Sequence, residues 1–275
     1  IASIQDFSCI GSCSQTIALP VLSAMGVECA ALPTALLSAH TAFDGFVSLD
    51  LTPQLPAIMA HWRAMHLRFD AVYTGFMGSE AQMDLAADFV RTFRCDRSTI
   101  FICDPVMGDH GKLYHGFTPE LVQGIRELAT HADVITPNLT EAALLLGEEP
   151  NTAPLSLGQA RSLLARLSAL GPGVVVITGA ALTTGDDRER GGYWKSVSEY
   201  LPVRYPGTGD LFAAVLTAGL MQGDSPAMAM DRATRYVEIT VKTTFGYGAD
   251  SREGVMLERT LGWLTQKELP RGYRT

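Results

Sequence analysis

Basic residues, cysteines and long apolar runs are all scarce in this chain. Lysine and arginine number 21 against 29 aspartates and glutamates, for a formal charge of −8. Nucleic-acid surfaces gather Lys and Arg against phosphates, so a nucleic-acid partner is excluded and any anionic ligand must be held by local donors. The five cysteines (Cys9, Cys13, Cys29, Cys95 and Cys103) are odd in number and contain no C-x-x-C pair. They are read as buried, reduced thiols rather than a disulfide framework, and Cys9 with Cys13 as neither metal ligands nor a redox pair. No apolar run approaches the roughly 18 residues of a membrane span, and no signal peptide is visible, which points to a cytoplasmic protein with no membrane partner. Asn138-Leu139-Thr140 matches a glycosylation sequon, which has no meaning without secretion. The chain opens on Ile1 rather than methionine, and a short leader or first residue is expected to be missing.

What is present is apolar content of 47% over 275 residues, enough for a sizeable core and for one α/β domain spanning 1–275. The stretch around which it is organised is Pro206-Gly207-Thr208-Gly209-Asp210, followed by the apolar Leu211 to Leu216. A glycine-rich turn entering a helix leaves backbone N–H groups unpaired at the positive end of the helix dipole. That is an anion site with a carboxylate beside it.

Taken in order, Ile1 to Gln5 is expected to be a short buried strand, followed by a polar turn from Asp6 to Gln15. A helix from Thr16 to Met25 is closed by Gly26. Val27 to Leu32 is a second expected strand, and Pro33 to Asp44 an irregular segment carrying Ser38, His40 and Thr41. Pro53 to Leu67 predicts an amphipathic helix with Ile58, Met59, Trp62 and Met65 on one side. A strand from Asp70 to Thr74, a helix from Glu80 to Phe93 and a strand from Ser98 to Cys103 follow. Thr118 to Thr130 is helical, Asp133 to Thr136 a strand, and Asn138 with Glu141 fits a capping box for the next helix. Ser156 caps a helix to Leu170, and Val174 to Gly179 is another buried strand. This alternation predicts a parallel, doubly wound sheet. Thr183 to Arg190 is a charged linker, with a mobile loop near Asp186 expected to be missing from the sequence, and Tyr193 to Val203 predicts short strands. Two closing helices, Ser225 to Phe245 and Arg252 to Gln266, flank the turn Gly246-Tyr247-Gly248.

Asp104 and Asp109 lie just past the carboxyl end of a central strand, where open α/β sheets bind ligands, although turn formation alone also explains either. His40 is equally readable as a ligand-facing or a satisfied loop histidine.

Several motifs then line up: Ser38-x-His40-Thr41, Thr74-Gly75-Phe76, Cys103-Asp104-Pro105-Val106-Met107-Gly108-Asp109, Thr136-Pro137-Asn138-Leu139-Thr140-Glu141, Val176-Ile177-Thr178-Gly179 and Gly207-Thr208-Gly209-Asp210. Together, from Ile4 to about Trp263, they resemble the pyridoxal/pyridoxamine kinases of the ribokinase-like superfamily. G-T-G-D marks the superfamily, whereas D-P-V-M-G-D with T-P-N-x-x-E marks its vitamin-kinase branch. The resemblance implies a three-layer fold, a mainly parallel sheet with helices on both faces. It also implies ATP-dependent phosphorylation of the 5′-hydroxymethyl group of a B6 vitamer, giving the 5′-phosphate and ADP.

In that resemblance Asp210 takes the hydroxyl proton, and the N–H groups of Gly207, Thr208 and Gly209 hold the transferring phosphoryl charge. Asp104 and Glu141, with Asp109 and Thr136, organise Mg²⁺. Asn138, Thr178, Gly179 and Thr208 serve the nucleotide, together with Asp104 and Glu141. Asp6, Ser8, Thr41 and Tyr114 contact the vitamer. ATP, Mg²⁺, a monovalent cation such as K⁺ and a homodimer belong to the same implication.

Many relatives carry Ser directly after S-I-Q, where this chain has Asp6, with Ser8 two residues on. An acidic residue there resembles the hydroxymethylpyrimidine kinases of thiamine synthesis, the second reading. The turn holding Cys9, Ser12 and Cys13 is more glycine- or arginine-rich in relatives. A non-catalytic vitamer- or nucleotide-binding protein is the third reading, opposed by Asp210 together with Gly207 and Gly209. A sugar kinase is disfavoured by the short chain and the absence of a lid insertion after the second strand. A water-excluding cover is expected from the Tyr193-side linker or from Asp109 to Gly116, with Tyr114 over the vitamer.

Overall fold

The computed structural model describes residues 1–94, 98–183 and 192–265. Cys95, the loop near Asp186 and the expected helical end at Gln266 lie outside the described residues. In chain order the elements are β1 (Ala2–Ser8), α1 (Gln15–Ala24), β2 (Ala30–Leu37), β3 (Ser48–Asp50), α2 (Leu55–Ala64), β4 (Ala71–Thr74), α3 (Glu80–Phe93) and β5 (Ile100–Cys103). Then come β6 (Gly108–Asp109), β7 (Lys112–Leu113), α4 (Pro119–Thr130), β8 (Val134–Ile135), α5 (Leu139–Leu146), α6 (Leu157–Ser168), β9 (Val174–Val175), α7 (Thr208–Met221), α8 (Pro226–Tyr247) and α9 (Leu261–Leu264).

The chain forms two compact units, one from Ile1–Pro53 with Trp194–Thr275 and one from Gln54–Tyr193. In the first, β1 pairs parallel with β2, and β2 antiparallel with β3. Its interior is dominated by α7, in which every residue from Asp210 to Gly219 is buried. An all-round apolar helix of this kind can sit only inside a core. In the second unit β4, β5, β8 and β9 are successive parallel neighbours. There Trp62 of α2 meets Phe69 at 5.8 Å and Phe89 at 6.1 Å between ring centroids, and Phe69, Phe89 and Phe93 meet one another at 4.3 to 5.7 Å in tilted or edge-to-face pairs, which fixes the apolar faces of α2 and α3.

Several expectations are corrected. β1 continues to Ser8, so Asp6 and Ser8 stand on a strand rather than in a turn: Asp6 falls at the register shift, and pairing with β2 resumes at Phe7 with Leu36 and Ser8 with Leu37. The second strand begins at Ala30 rather than Val27 and runs through Pro33 to Leu37. Pro33, which has no N–H to give, lies opposite Gln5 where the register shifts. β3 and the β6–β7 hairpin carried no signal visible in apolar periodicity. α2 is shorter than expected: Thr52–Gln54 is a 3-10 turn, His66 ends the helical run at φ 56°, and Met65 is exposed rather than on the inner side. β9 covers only Val174–Val175 and is half-buried. No strand element is described between Tyr193 and Val203. The last expected helix is broken into 3-10 turns at Ser251–Glu253 and Leu257–Arg259 before α9, with Gly254 at φ 80° between them. Gly246 and Tyr247 complete α8, and only Gly248 adopts the left-handed cap. Cys103 is buried as expected, but Cys9 is exposed and Cys13 and Cys29 are only partly covered.

Candidate active site

In the first unit α7 opens at Gly207, whose φ of 81° is left-handed. A Cβ there would lie 2.1 Å from Ser12 O and 2.5 Å from Ile17 Cδ1, so glycine is required twice over. Thr208, Gly209 and Asp210 form the first turn, where backbone N–H groups lack intrahelical acceptors. The Cβ direction of Gly209 meets nothing within 4 Å, which leaves open space at the helix start. Thr208 Oγ1 turns back to donate to Tyr205 O at 3.2 Å.

Asp210 is buried, and its Oδ2 accepts the Ser14 N–H at 3.0 Å and the Cys13 thiol at 3.3 Å. Burial pushes its carboxyl up to about 6, the Ser14 N–H opposes that, and the charge of Asp6 adds to it. Asp6 is buried on β1 and accepts the Ser8 hydroxyl at 3.1 Å. Burial raises Asp6 as well, against the hydroxyls of Ser14 and Ser8. Ser14 has φ 50°, unusual for a residue other than glycine, and this backbone delivers its N–H to Asp210. Asp6, Ser8 and Asp210 therefore belong to one polar network that includes Cys13 and Ser14.

Thr41 is exposed on the loop after β2 and is not part of that network. Its neighbour His40 is buried, accepting from Ala42 N at Nδ1 (3.2 Å), so Nε2 carries the proton and donates to Arg252 O at 2.6 Å. A Cβ on Gly11 would lie 2.1 Å from His40 Cδ2. Both ring nitrogens are thus engaged in holding loops together, which settles His40 as a satisfied structural histidine.

In the second unit Asp104 follows β5, is buried, and accepts the Thr136 hydroxyl at 2.7 Å. Asn138 caps α5 through the expected capping box: its side chain accepts from Glu141 N, and Glu141 Oε2 accepts from Asn138 N at 2.9 Å. Asn138 Nδ2 also donates to Gly108 O at 2.8 Å, and Glu141 Oε1 accepts from Met107 N at 3.2 Å. The loop after Asp104 is therefore fastened to the start of α5. Burial pushes the Glu141 carboxyl well up, and the charge of Asp104 adds to the rise. Thr178 N donates to Pro137 O at 2.9 Å, and Gly179 follows at φ 63°. Asp109 is part-exposed and its carboxylate pairs with His110 Nε2 at 3.1 Å, while its charge adds a smaller part to the rise of Glu141. Tyr114 is 43% exposed just beyond the β6–β7 hairpin. Among the described residues no group of three or more His, Cys, Asp or Glu side chains forms a metal cage. Asp104 with Glu141 is instead a pair of hard oxygen donors, the type that holds Mg²⁺ jointly with substrate phosphates.

No motif marks Ser14, and Cys13 stands out in the sequence only as a thiol and as part of a turn that differs from relatives; both meet Asp210 from almost 200 residues away (separations of 196 and 197). The one signal for them was the small, polar composition of the turn before α1.

Comparison with known proteins places the fold among ribokinase-like kinases of small alcohols. A Bacteroides thetaiotaomicron protein, provisionally described as a phosphomethylpyrimidine kinase and solved with pyridoxal, superposes with a TM-score of 0.91 at 42% identity, covering 99% of this chain and 98% of that one. The pyridoxal kinase of Leishmania donovani in complex with ADP and pyridoxamine gives a TM-score of 0.82 at 29% identity, with 96% and 94% covered. The pyridoxine/pyridoxal/pyridoxamine kinase of Bordetella avium is 32% identical over 94% of this chain and 89% of its own. The profile of the phosphomethylpyrimidine kinase family matches residues 19–254, and the chain belongs to that family.

Proposed function

We propose that this chain transfers the terminal phosphoryl group of ATP to the 5′-hydroxymethyl group of a B6 vitamer (pyridoxal, pyridoxamine or pyridoxine), releasing ADP. The observation that carries the mechanism is Asp210: a buried carboxylate held through one oxygen, in the first turn of a helix that opens on glycine. The vitamer hydroxyl gives its proton to Asp210 as its oxygen bonds to phosphorus and the bond to ADP breaks. An aspartate suffices because the alcohol becomes acidic only late in such a transfer. The N–H groups of Gly207, Thr208 and Gly209 stabilise the charge on the phosphoryl oxygens. Asp6 and Ser8 on β1, with Thr41 and Tyr114, are assigned to the vitamer.

Asp104 and Glu141 are assigned to Mg²⁺, with Thr136 and Asp109 in support, and Asn138, Thr178 and Gly179 to the nucleotide. The mutual repulsion of two buried carboxylates suits a divalent cation, and when bound the ion neutralises phosphate charge. The family likeness extends the proposal to a single kinase domain, a monovalent cation such as K⁺, a homodimer and a cytoplasmic location. No described helix is long and apolar enough to cross a membrane.

Asp6, where many pyridoxal kinases have Ser, favours a second reading, hydroxymethylpyrimidine phosphorylation. Mass-spectrometric identification of phosphorylated products from pyridoxal, pyridoxamine, pyridoxine and hydroxymethylpyrimidine separates the two. Phosphorylated B6 vitamers are expected; product from hydroxymethylpyrimidine alone establishes the second reading.

A further inference from the structure

Two donors converge on a single oxygen of Asp210. The Ser14 N–H reaches Oδ2 at 3.0 Å and the Cys13 thiol reaches the same atom at 3.3 Å, while Oδ1 has no partner among the described residues. Ser14 Oγ lies 3.8 Å from Cys13 Sγ, its single proton shared between that sulfur and the Asp6 carboxylate. A carboxylate held in this way presents its oxygens unequally. The doubly bonded one has less charge to offer an incoming proton, and the carboxyl plane is fixed by the pair of donors.

We propose that Cys13 is a positioning residue for the phosphoryl-transfer reaction: with the Ser14 N–H it holds Oδ2 of Asp210, so that Oδ1 is the atom that takes the proton of the acceptor alcohol. This rests on the kinase reading above for the identity of the reaction, and on the geometry for the role of the thiol. A thiol suits the position. It donates one weak hydrogen bond, enough to orient the carboxylate without suppressing its basicity as an ammonium or guanidinium would. Burial raises the Cys13 thiol well above its ordinary range, with the charge of Asp210 adding to the rise, so it remains a protonated donor at neutral pH rather than a nucleophile. The titratable groups facing Asp210 are Asp6 from β1 and Cys13 from the turn before α1, with His40 facing Asp6 in turn.

The test compares wild type, Cys13→Ala and Cys13→Ser with pyridoxamine, which has no aldehyde for a thiol to attack. The Ala variant is expected to lose about tenfold in kcat with KM for ATP unchanged. Its acidic pH limb should move upward, because removing a donor to the ionised form raises the carboxyl. Ser, which restores a donor, is expected to recover both. An Ala variant with wild-type kcat and an unmoved limb, or a Ser variant as impaired as Ala, overturns the proposal. A readout independent of turnover is the titration of the Asp210 carboxyl carbon by ¹³C NMR, assigned with Asp210→Asn. Its midpoint should rise in Cys13→Ala and return in Cys13→Ser, and an unmoved midpoint overturns the role of the thiol. If the wild type phosphorylates no alcohol while the midpoint moves as stated, the kinase reading fails and the thiol contact stands.

Discussion

The carbonyl oxygen of Ser12 lies 2.1 Å from where a Cβ on Gly207 would stand, so the turn that opens α7 and the turn before α1 are in backbone contact. Replacing Gly207 by Ala forces both a left-handed φ on a residue with a side chain and an overlap with backbone that cannot swing away. Gly207→Ala is expected to lower unfolding free energy by about 2–4 kcal/mol in denaturant titration. Gly209→Ala, whose methyl meets nothing within 4 Å, should unfold within about 1 kcal/mol of wild type yet lose phosphoryl transfer, because the methyl enters the space assigned to the phosphoryl group.

Asp210 makes the folded chain sensitive to pH in a definite direction. Its carboxyl holds a proton up to about pH 6 when folded, against an ordinary value of 3.8. Between those values the native state binds more protons than the unfolded one, so stability falls as pH rises, by up to about 3 kcal/mol from this group. Asn at this position removes the effect, while Asp6, raised in the same direction, remains in both proteins. Urea titrations at pH 4 and pH 7 should therefore show Asp210→Asn gaining on wild type as pH rises; a constant difference contradicts the burial assigned to this carboxyl.

Asn138 joins α5 to the loop after Asp104 through Glu141 N and Gly108 O. Asn138→Ala removes the cap and leaves a carbonyl without its donor, an expected loss of about 1–3 kcal/mol. Hydrogen exchange should quicken at Met107 N, whose acceptor Glu141 is held by the same capping box.

Thiol chemistry should follow exposure. Cys9 is exposed, whereas burial pushes Cys29 up to about 11 and Cys103 up to about 12. Iodoacetamide at pH 8 followed by peptide mass spectrometry is expected to label Cys9 first and Cys103 last of these three.

The alternation of strands and helices was legible because α3 and α4 carry a periodic apolar face, and α5 and α6 start at the Asn138 and Ser156 caps expected of them. The short elements were not: β3 and the β6–β7 hairpin are set by partner strands and by Gly108, whose absent Cβ lets Lys112 O approach, and neither leaves a periodic trace. Within the candidate site, Asp104, Glu141, Gly207 and Asp210 stood out because each belongs to a motif, D-P-V-M-G-D, T-P-N-x-x-E or G-T-G-D, although turns and caps also use such residues. Ser14 and Cys13 did not, since their contact with Asp210 spans most of the chain and depends on a φ of 50° that no residue type announces.

The central claim is that Asp210 is the base for transfer from ATP to a B6 vitamer, and the turnover of Asp210→Asn with pyridoxamine tests it most directly. The account predicts a kcat lower by about 10²–10⁴ with ATP binding near that of wild type. An Asn variant that turns over pyridoxamine at the wild-type rate would contradict it.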